Sequence, residues 1–181
     1  MGKGIARELF SWLKAIIIAV IIVFVVREFL MTPSIVKGES MMPTLQDGDR
    51  IMISKVTSIN RFDEIAFHSP DTDENYVKRV IGLPGDTVEM KDDVLYINGK
   101  AYEERYLDKY KEAYGDEELT ENFNLQQITG ETTVPDDYLF VLGDNRPISK
   151  DSRAFGFIKQ DSVIGDVVFR IWPLNAIGVP E

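Results

Sequence analysis

From Ala15 to Val26 the chain reads A-I-I-I-A-V-I-I-V-F-V-V, a run without one polar side-chain atom. Lys14 and Arg27 bracket it, and both can carry their charges to water along apolar stems. Widening the window to Leu9–Leu30 gives 22 residues. As an α-helix that is about 33 Å, enough to cross a hydrocarbon core of about 30 Å. Three assignments compete: a cleaved signal peptide, a buried core helix, and an uncleaved membrane anchor. A cleaved peptide needs small residues just after the run, but Arg27-Glu28-Phe29-Leu30 follows. A core helix at a domain surface needs a polar face, and this run has none. The anchor is the favoured assignment. Lys3, Arg7 and Lys14 on its N-terminal side place that end in the cytoplasm and the rest of the chain outside.

After Pro33 the period shortens. Segments Ser34–Lys37, Arg50–Val56, Glu64–His68, Tyr76–Gly82, Thr87–Met90, Val94–Ile97, Tyr138–Leu142 and Ser162–Ile171 read as strands between turn-forming clusters. Asn98-Gly99, between Leu95-Tyr96-Ile97 and Ala101-Tyr102, is a two-residue hairpin signal. Residues 103–131 are rich in Glu, Lys, Tyr and Asn and only weakly periodic, with partial helix expected over 103–118. The pattern predicts a mainly β domain over 32–181, carrying a small polar insertion at about 91–135, behind a 1–31 segment of cytoplasmic N-terminus and membrane anchor.

Composition narrows the chemistry. The net charge is −10, and no basic patch follows the N-terminus, so a nucleic-acid partner is not expected. The absence of cysteine excludes disulfides, thiolate metal sites and a cysteine nucleophile. With one histidine, His68, a His-rich metal site is impossible, and any Ser-His-Asp triad has to use that residue. It sits in Phe67-His68-Ser69-Pro70-Asp71, where a solvated loop histidine is the plainer reading. No glycine-rich segment has the spacing of a phosphate-binding loop, and no cofactor is expected.

Three blocks carry possible chemistry. In Gly38-Glu39-Ser40-Met41-Met42-Pro43-Thr44-Leu45, Ser40 is either a turn residue or a hydroxyl beside an edge where an extended peptide can pair. In Tyr76-Val77-Lys78-Arg79-Val80-Ile81-Gly82-Leu83-Pro84-Gly85-Asp86, adjacent side chains of a strand face opposite ways. With Arg79 toward solvent, Lys78 points inward. It is then either paired, snorkelling, or a desolvated amine whose lowered pKa lets it take a proton from a serine. The third block, Gly143-Asp144-Asn145-Arg146-Pro147-Ile148-Ser149-Lys150-Asp151-Ser152-Arg153, is a loop whose Asp151 and Arg153 are either solvated charges or a brace.

In their order after a hydrophobic anchor, these blocks resemble the bacterial type I signal peptidases, in the single-anchor form found in Gram-positive bacteria. The resemblance spans nearly the whole chain and is weakest over 91–135. It implies a mainly β fold with a signal-peptidase or lexA-like core of SH3-like barrel type, one N-terminal transmembrane helix and the insertion. It implies a membrane-bound serine endopeptidase that removes signal peptides from exported preproteins, with Ser40 as nucleophile and Lys78 as general base. Ser149 is implied to hydrogen-bond and orient the amine, Asp151 and Arg153 to form a structural pair, and Asn145 to support the loop. The backbone N–H of Ser40 is implied as one oxyanion donor. Many relatives supply the second from a serine where this chain has Gly38. Val36, Met41, Tyr76 and Val77 match positions lining shallow pockets for small residues one and three before the cut. Expected partners are signal peptides, the lipid bilayer and the secretion translocon, in a single-pass cell-membrane protein. A self-cleaving repressor of the same core, or a tethered module that binds signal peptides without cutting them, are the rival assignments.

Overall fold

The computed structural model describes residues 2–115 and 117–180, with side chains from Arg7 onward. The side chain of Lys3, one of the expected inner-face cations, lies outside that description. Helix α1 (Gly2–Val25) passes into a wider π-helical turn at Val26–Leu30. Every side chain from Arg7 to Leu30 is exposed, so nothing among the described residues covers this apolar rod. That removes the buried-helix assignment, because so much bare apolar surface requires another apolar medium.

The strands follow: β1 (Met31–Ile35), β2 (Arg50–Ser54), β3 (Glu64–His68), β4 (Asn75–Gly82), β5 (Val88–Lys91), β6 (Val94–Ile97), β7 (Lys100–Tyr102), β8 (Phe123–Asn124), β9 (Tyr138–Leu142), β10 (Ile158–Lys159) and β11 (Val163–Trp172). A curled sheet runs β1-β2-β11-β3-β4-β9-β10, and a smaller accessory sheet runs β7-β6-β5-β8. Their pairings are antiparallel. Asn98 and Gly99 both have positive φ, 52° and 75°, as the tight hairpin between β6 and β7 requires.

Three outcomes differ from the sequence expectation. The first strand starts at Met31, not Ser34, because an edge strand tolerates Pro33, which has no N–H to give. The helix therefore leads straight into the sheet. Lys55 fixes the junction, its N–H donating to the Leu30 carbonyl at 2.9 Å and its Nζ to the Glu28 carbonyl at 2.8 Å. Second, Arg79 does not face solvent. Both it and Lys78 are buried, because packed side chains cover β4 on both faces of the curled sheet. Alternation holds, but the outward direction is a second interior. Third, the polar insertion carries buried residues: Leu107, Leu119, Phe123 and Leu125 are buried, as are Glu104 and Thr120, and Phe123 and Leu125 pack into one core with Ile81, Phe140 and Leu142 of the curled sheet. Helix α2 (Asp108–Tyr114) falls inside the expected helical stretch, and α3 (Leu125–Thr129) lies beyond it, capped by Asn124 and Gln127.

Candidate active site

Ser40 sits in a turn whose shape follows from its neighbours. Met41 and Leu45, four apart, both point into the core formed with Val36, Ile51, Ile53, Ala66 and Val167. The Leu45 N–H donates to the Met41 carbonyl at 2.9 Å. These two apolar plugs anchor the turn in the core, and Thr44 between them is also buried, donating to Asp144 Oδ2. Glu39 and Ser40 are held from across the molecule. The Asn145 N–H donates to the Ser40 carbonyl at 3.0 Å, and Asn145 Nδ2 to the Glu39 carbonyl at 3.0 Å.

Lys78 reaches this turn from β4. Its Nζ lies 2.6 Å from Ser40 Oγ and donates to the Val77 carbonyl at 3.0 Å. The residue is 3% exposed. Burial pushes the amine down from 10.5 to about 8, against the pull of Asp151 and Asp144, whose charges raise it. That drop enlarges the neutral fraction at pH 7 roughly 300-fold. Of the paired, snorkelling and desolvated alternatives, the geometry leaves the desolvated amine: no carboxylate lies within ion-pair distance of Nζ among the described residues.

The loop from Gly143 to Arg153 closes over these two residues. Arg153 Nε and Nη2 donate to the two oxygens of Asp151, each at 2.9 Å, and Asp151 Oδ2 accepts the Gly143 N–H at 3.0 Å. Asp151 thus holds the loop, and helix α4 (Ser152–Phe155) starts on its side chain. Ser149 behaves differently from the implied role. Its Oγ is buried with no hydrogen-bond partner among the described residues, so the Ser149–Lys78 bond is not made, and Nζ uses the Val77 carbonyl instead. Gly143 packs so tightly that a Cβ there would overlap Ser149 Oγ and stand 2.5 Å from the Ser40 carbonyl oxygen. Gly143→Ala is therefore expected to cut any activity that depends on the Ser40–Lys78 contact roughly 100-fold or more, because the Ser40 backbone has to shift by a sizeable fraction of an ångström. A rate within twofold of the parent would show that the loop absorbs the methyl elsewhere.

A cleft of about 830 Å³ opens in front of Ser40 and Lys78. Val36, Met41, Tyr76 and Val77 all line it, as does Gly38. The Gly38 N–H is taken by Asp47 Oδ1 at 2.7 Å, while the Ser40 N–H has no acceptor among the described residues. His68 is exposed at the end of β3, its Nδ1 2.8 Å from Asn75 Oδ1.

Two buried ionic networks were not foreseen. Arg79 donates to both oxygens of Asp144, at 2.9 and 2.6 Å, and to Glu64 Oε1 at 3.0 Å, while Thr44 Oγ1 donates to Asp144 Oδ2 at 2.5 Å. Burial pushes the Glu64 carboxyl up to about 7, opposed by Arg79 and helped by Asp144. Arg146, fully buried, pairs with Glu104 of the insertion. Arg79, Asp144 and Arg146 lay inside the blocks already singled out. Glu104 gave no signal, being one glutamate in a Glu-rich stretch.

A family model described as "Signal peptidase, peptidase S26" matches residues 9–172. The chain is 48% identical over 162 residues to a signal peptidase I of Bacillus caldolyticus, covering 87% of this chain and 88% of the relative. It is 43% identical over 178 residues to a signal peptidase IB of Staphylococcus aureus (strain Mu50 / ATCC 700699), covering 93% and 92%. A crystal structure of a signal peptidase I from Enterococcus faecalis V583 superposes with a TM-score of 0.60 at 50% identity, covering 62% of this chain and 98% of that one.

Proposed function

We propose, from the premise that the chain belongs to the signal peptidase family, peptidase S26, that Ser40 and Lys78 are the nucleophile and general base with which it works. The activity is that of a membrane-anchored serine endopeptidase removing signal peptides from preproteins. The observation that carries the assignment is the 2.6 Å contact between Lys78 Nζ and Ser40 Oγ at the floor of an open cleft.

The chemistry follows from that contact. Neutral Lys78 accepts the Ser40 hydroxyl proton as Oγ bonds to the scissile carbonyl carbon. The carbonyl oxygen takes the negative charge and is held by the Ser40 N–H, which is free to donate. The ammonium returns its proton to the leaving amine as the C–N bond breaks, releasing the mature chain. Water then attacks the ester, losing a proton to Lys78; the C–Oγ bond breaks, the ammonium returns that proton to Ser40 Oγ, and the signal peptide departs as a carboxylic acid. The Gly38 N–H is already committed to Asp47, so the second oxyanion donor is not that amide.

Substrate lies extended along two open strand edges. β1 is the outer strand of its sheet, and β4 pairs with β9 only from Arg79 to Gly82, which leaves the Asn75–Lys78 edge free. A peptide between them gains main-chain hydrogen bonds, while Val36, Met41, Tyr76 and Val77 shape the pockets for its small side chains. Residues 1–31 form the cytoplasmic end and anchor, and 32–181 the catalytic part outside the cell membrane, where a peptide leaving the translocon first meets the cleft. Three basic residues preceding the apolar run, Lys3, Arg7 and Lys14, support that orientation.

The test is a pH–rate profile with a preprotein. The base is active only when unprotonated, so kcat/KM is expected to rise with pH through about 8 and then level. A limb near 10.5, the ordinary lysine value, would remove the desolvated amine from the mechanism.

A further inference from the structure

We infer that Glu104, at the exit of the accessory sheet, is a positioning residue for the Ser40–Lys78 reaction and acts through Arg146. The inference rests on the Ser40–Lys78 assignment and gives the insertion a task within it.

Arg146 is wholly buried, and all five of its N–H donors are directed at acceptors. Nη2 donates to Glu104 Oε1 at 2.5 Å and to the Tyr106 hydroxyl at 3.3 Å. Nη1 donates to Glu104 Oε2 at 3.4 Å and to Thr120 Oγ1 at 3.3 Å. These four acceptors all belong to the insertion. The fifth donor, Nε, turns the other way and donates to the Gly143 carbonyl at 3.0 Å. Gly143 is the residue packed against the Ser40 carbonyl, and Asn145, one position before Arg146, holds Ser40 and Glu39. One guanidinium therefore joins the accessory sheet to the loop that sets the nucleophile.

The same segment touches the base strand. The Tyr106 hydroxyl donates to Glu104 Oε1 at 2.5 Å, and its ring lies 4.0 Å beneath the Arg79 guanidinium. Arg79 is the backbone neighbour of Lys78. Glu104 sits where the two catalytic elements are braced from a common side. An apolar contact would fix how closely insertion and loop pack, but not their relative angle. A forked ion pair fixes both. That is why a fully satisfied charge pair here does more than fill space, although an apolar replacement would cost the fold little.

The experiment uses the full chain in lipid vesicles and a preprotein substrate. Glu104→Gln is expected to lower kcat about 10- to 100-fold, with KM within twofold because the cleft is untouched. The Asn145 amide, which donates to Ser40, is expected to exchange its hydrogen faster, while the Val36 amide, bonded to the Asp49 carbonyl, does not change. Glu104→Asp keeps the charge but retracts it and is expected to fall between. Glu104→Leu with Arg146→Met removes the whole pair, so its fold does not suffer an orphaned charge. It is expected to melt near the parent temperature while kcat stays low. If the double variant recovers both fold and kcat, the pair is only structural and the inference is overturned. A parental kcat in folded Glu104→Gln overturns it equally. Ser40→Ala in the same preparation separates the two failures: residual cleavage there would undo the Ser–Lys assignment itself.

Discussion

Lys78→Ala is expected to lower preprotein cleavage by about 10⁴-fold or more, since a nucleophile–base pair works as a unit and losing either member forfeits most of its contribution. Ser40→Ala should cost as much, and the double variant hardly more. Lys78→Arg should be equally inactive despite its length and charge, because a guanidinium does not deprotonate in the working range. Lys78→Met separates chemistry from fold. The depressed amine means that the folded state carries its charge at a cost of roughly 3 kcal/mol below pH 8, from a shift of 10.5 to about 8. Removing that charge is expected to stabilise the protein by something approaching this figure at pH 7. The gain should shrink as pH rises from 8 to 10.5, where the parent lysine loses its proton in both states. An inactive but more stable Lys78→Met, measured by denaturant midpoint and cleavage rate together, is the expected pair of results. A variant that keeps a tenth of the parental rate would sink the base assignment.

The local structure around this site was legible in sequence, whereas the roles of its residues came from the resemblance to a family. Ser40, Lys78, Asp151 and Arg153 each lie in a block whose neighbours dictate a turn, a strand or a loop, and strand edges at 64–68, 94–97 and 138–142 fell where alternation put them. What was not legible depends on what lies across the chain. Alternation gives two faces for β4 but not what each face meets. Arg79 was read as solvent-facing because what meets it, Glu64 across the β3 pairing and Asp144 from the loop after β9, is not encoded in residues 76–82. Glu104 could not be singled out for the same reason: its partner is 42 positions away. Ser149 shows the converse. A role carried in by resemblance requires the hydroxyl to meet an amine, and in this structure the amine bonds elsewhere.

Arg79→Met is expected to destabilise the protein by about 3–5 kcal/mol at pH 8, the usual consequence of removing one partner from a buried ion pair. The guanidinium is held from every side: by Asp144, by Glu64, by the Phe62 carbonyl at 2.8 Å and by the Tyr106 ring. The attraction of Asp144 and Glu64 outweighs burial and raises its pKa further, so it is charged throughout. Among the described residues, its loss leaves Asp144, with an entirely buried side chain, only the Thr44 hydroxyl as a side-chain donor, and leaves Glu64 with none. The cost should depend on pH with a definite sign. In the parent, burial already lifts the Glu64 carboxyl to about 7, and Arg79 is what restrains it. Without Arg79 the Glu64 carboxyl shifts further upward in the folded state. Its stabilising contribution is then present in acid and lost as pH rises through the elevated value. The gap between variant and parent should accordingly be small near pH 5 and widen toward pH 8, read as urea midpoints of the full chain in detergent at constant m. A deficit independent of pH would mean that lost packing, not an orphaned charge, sets the cost. Because Lys78 is the neighbouring residue, activity in the folded fraction should fall as well. A folded Arg79→Met with parental kcat would show that the strand holds its lysine without this brace.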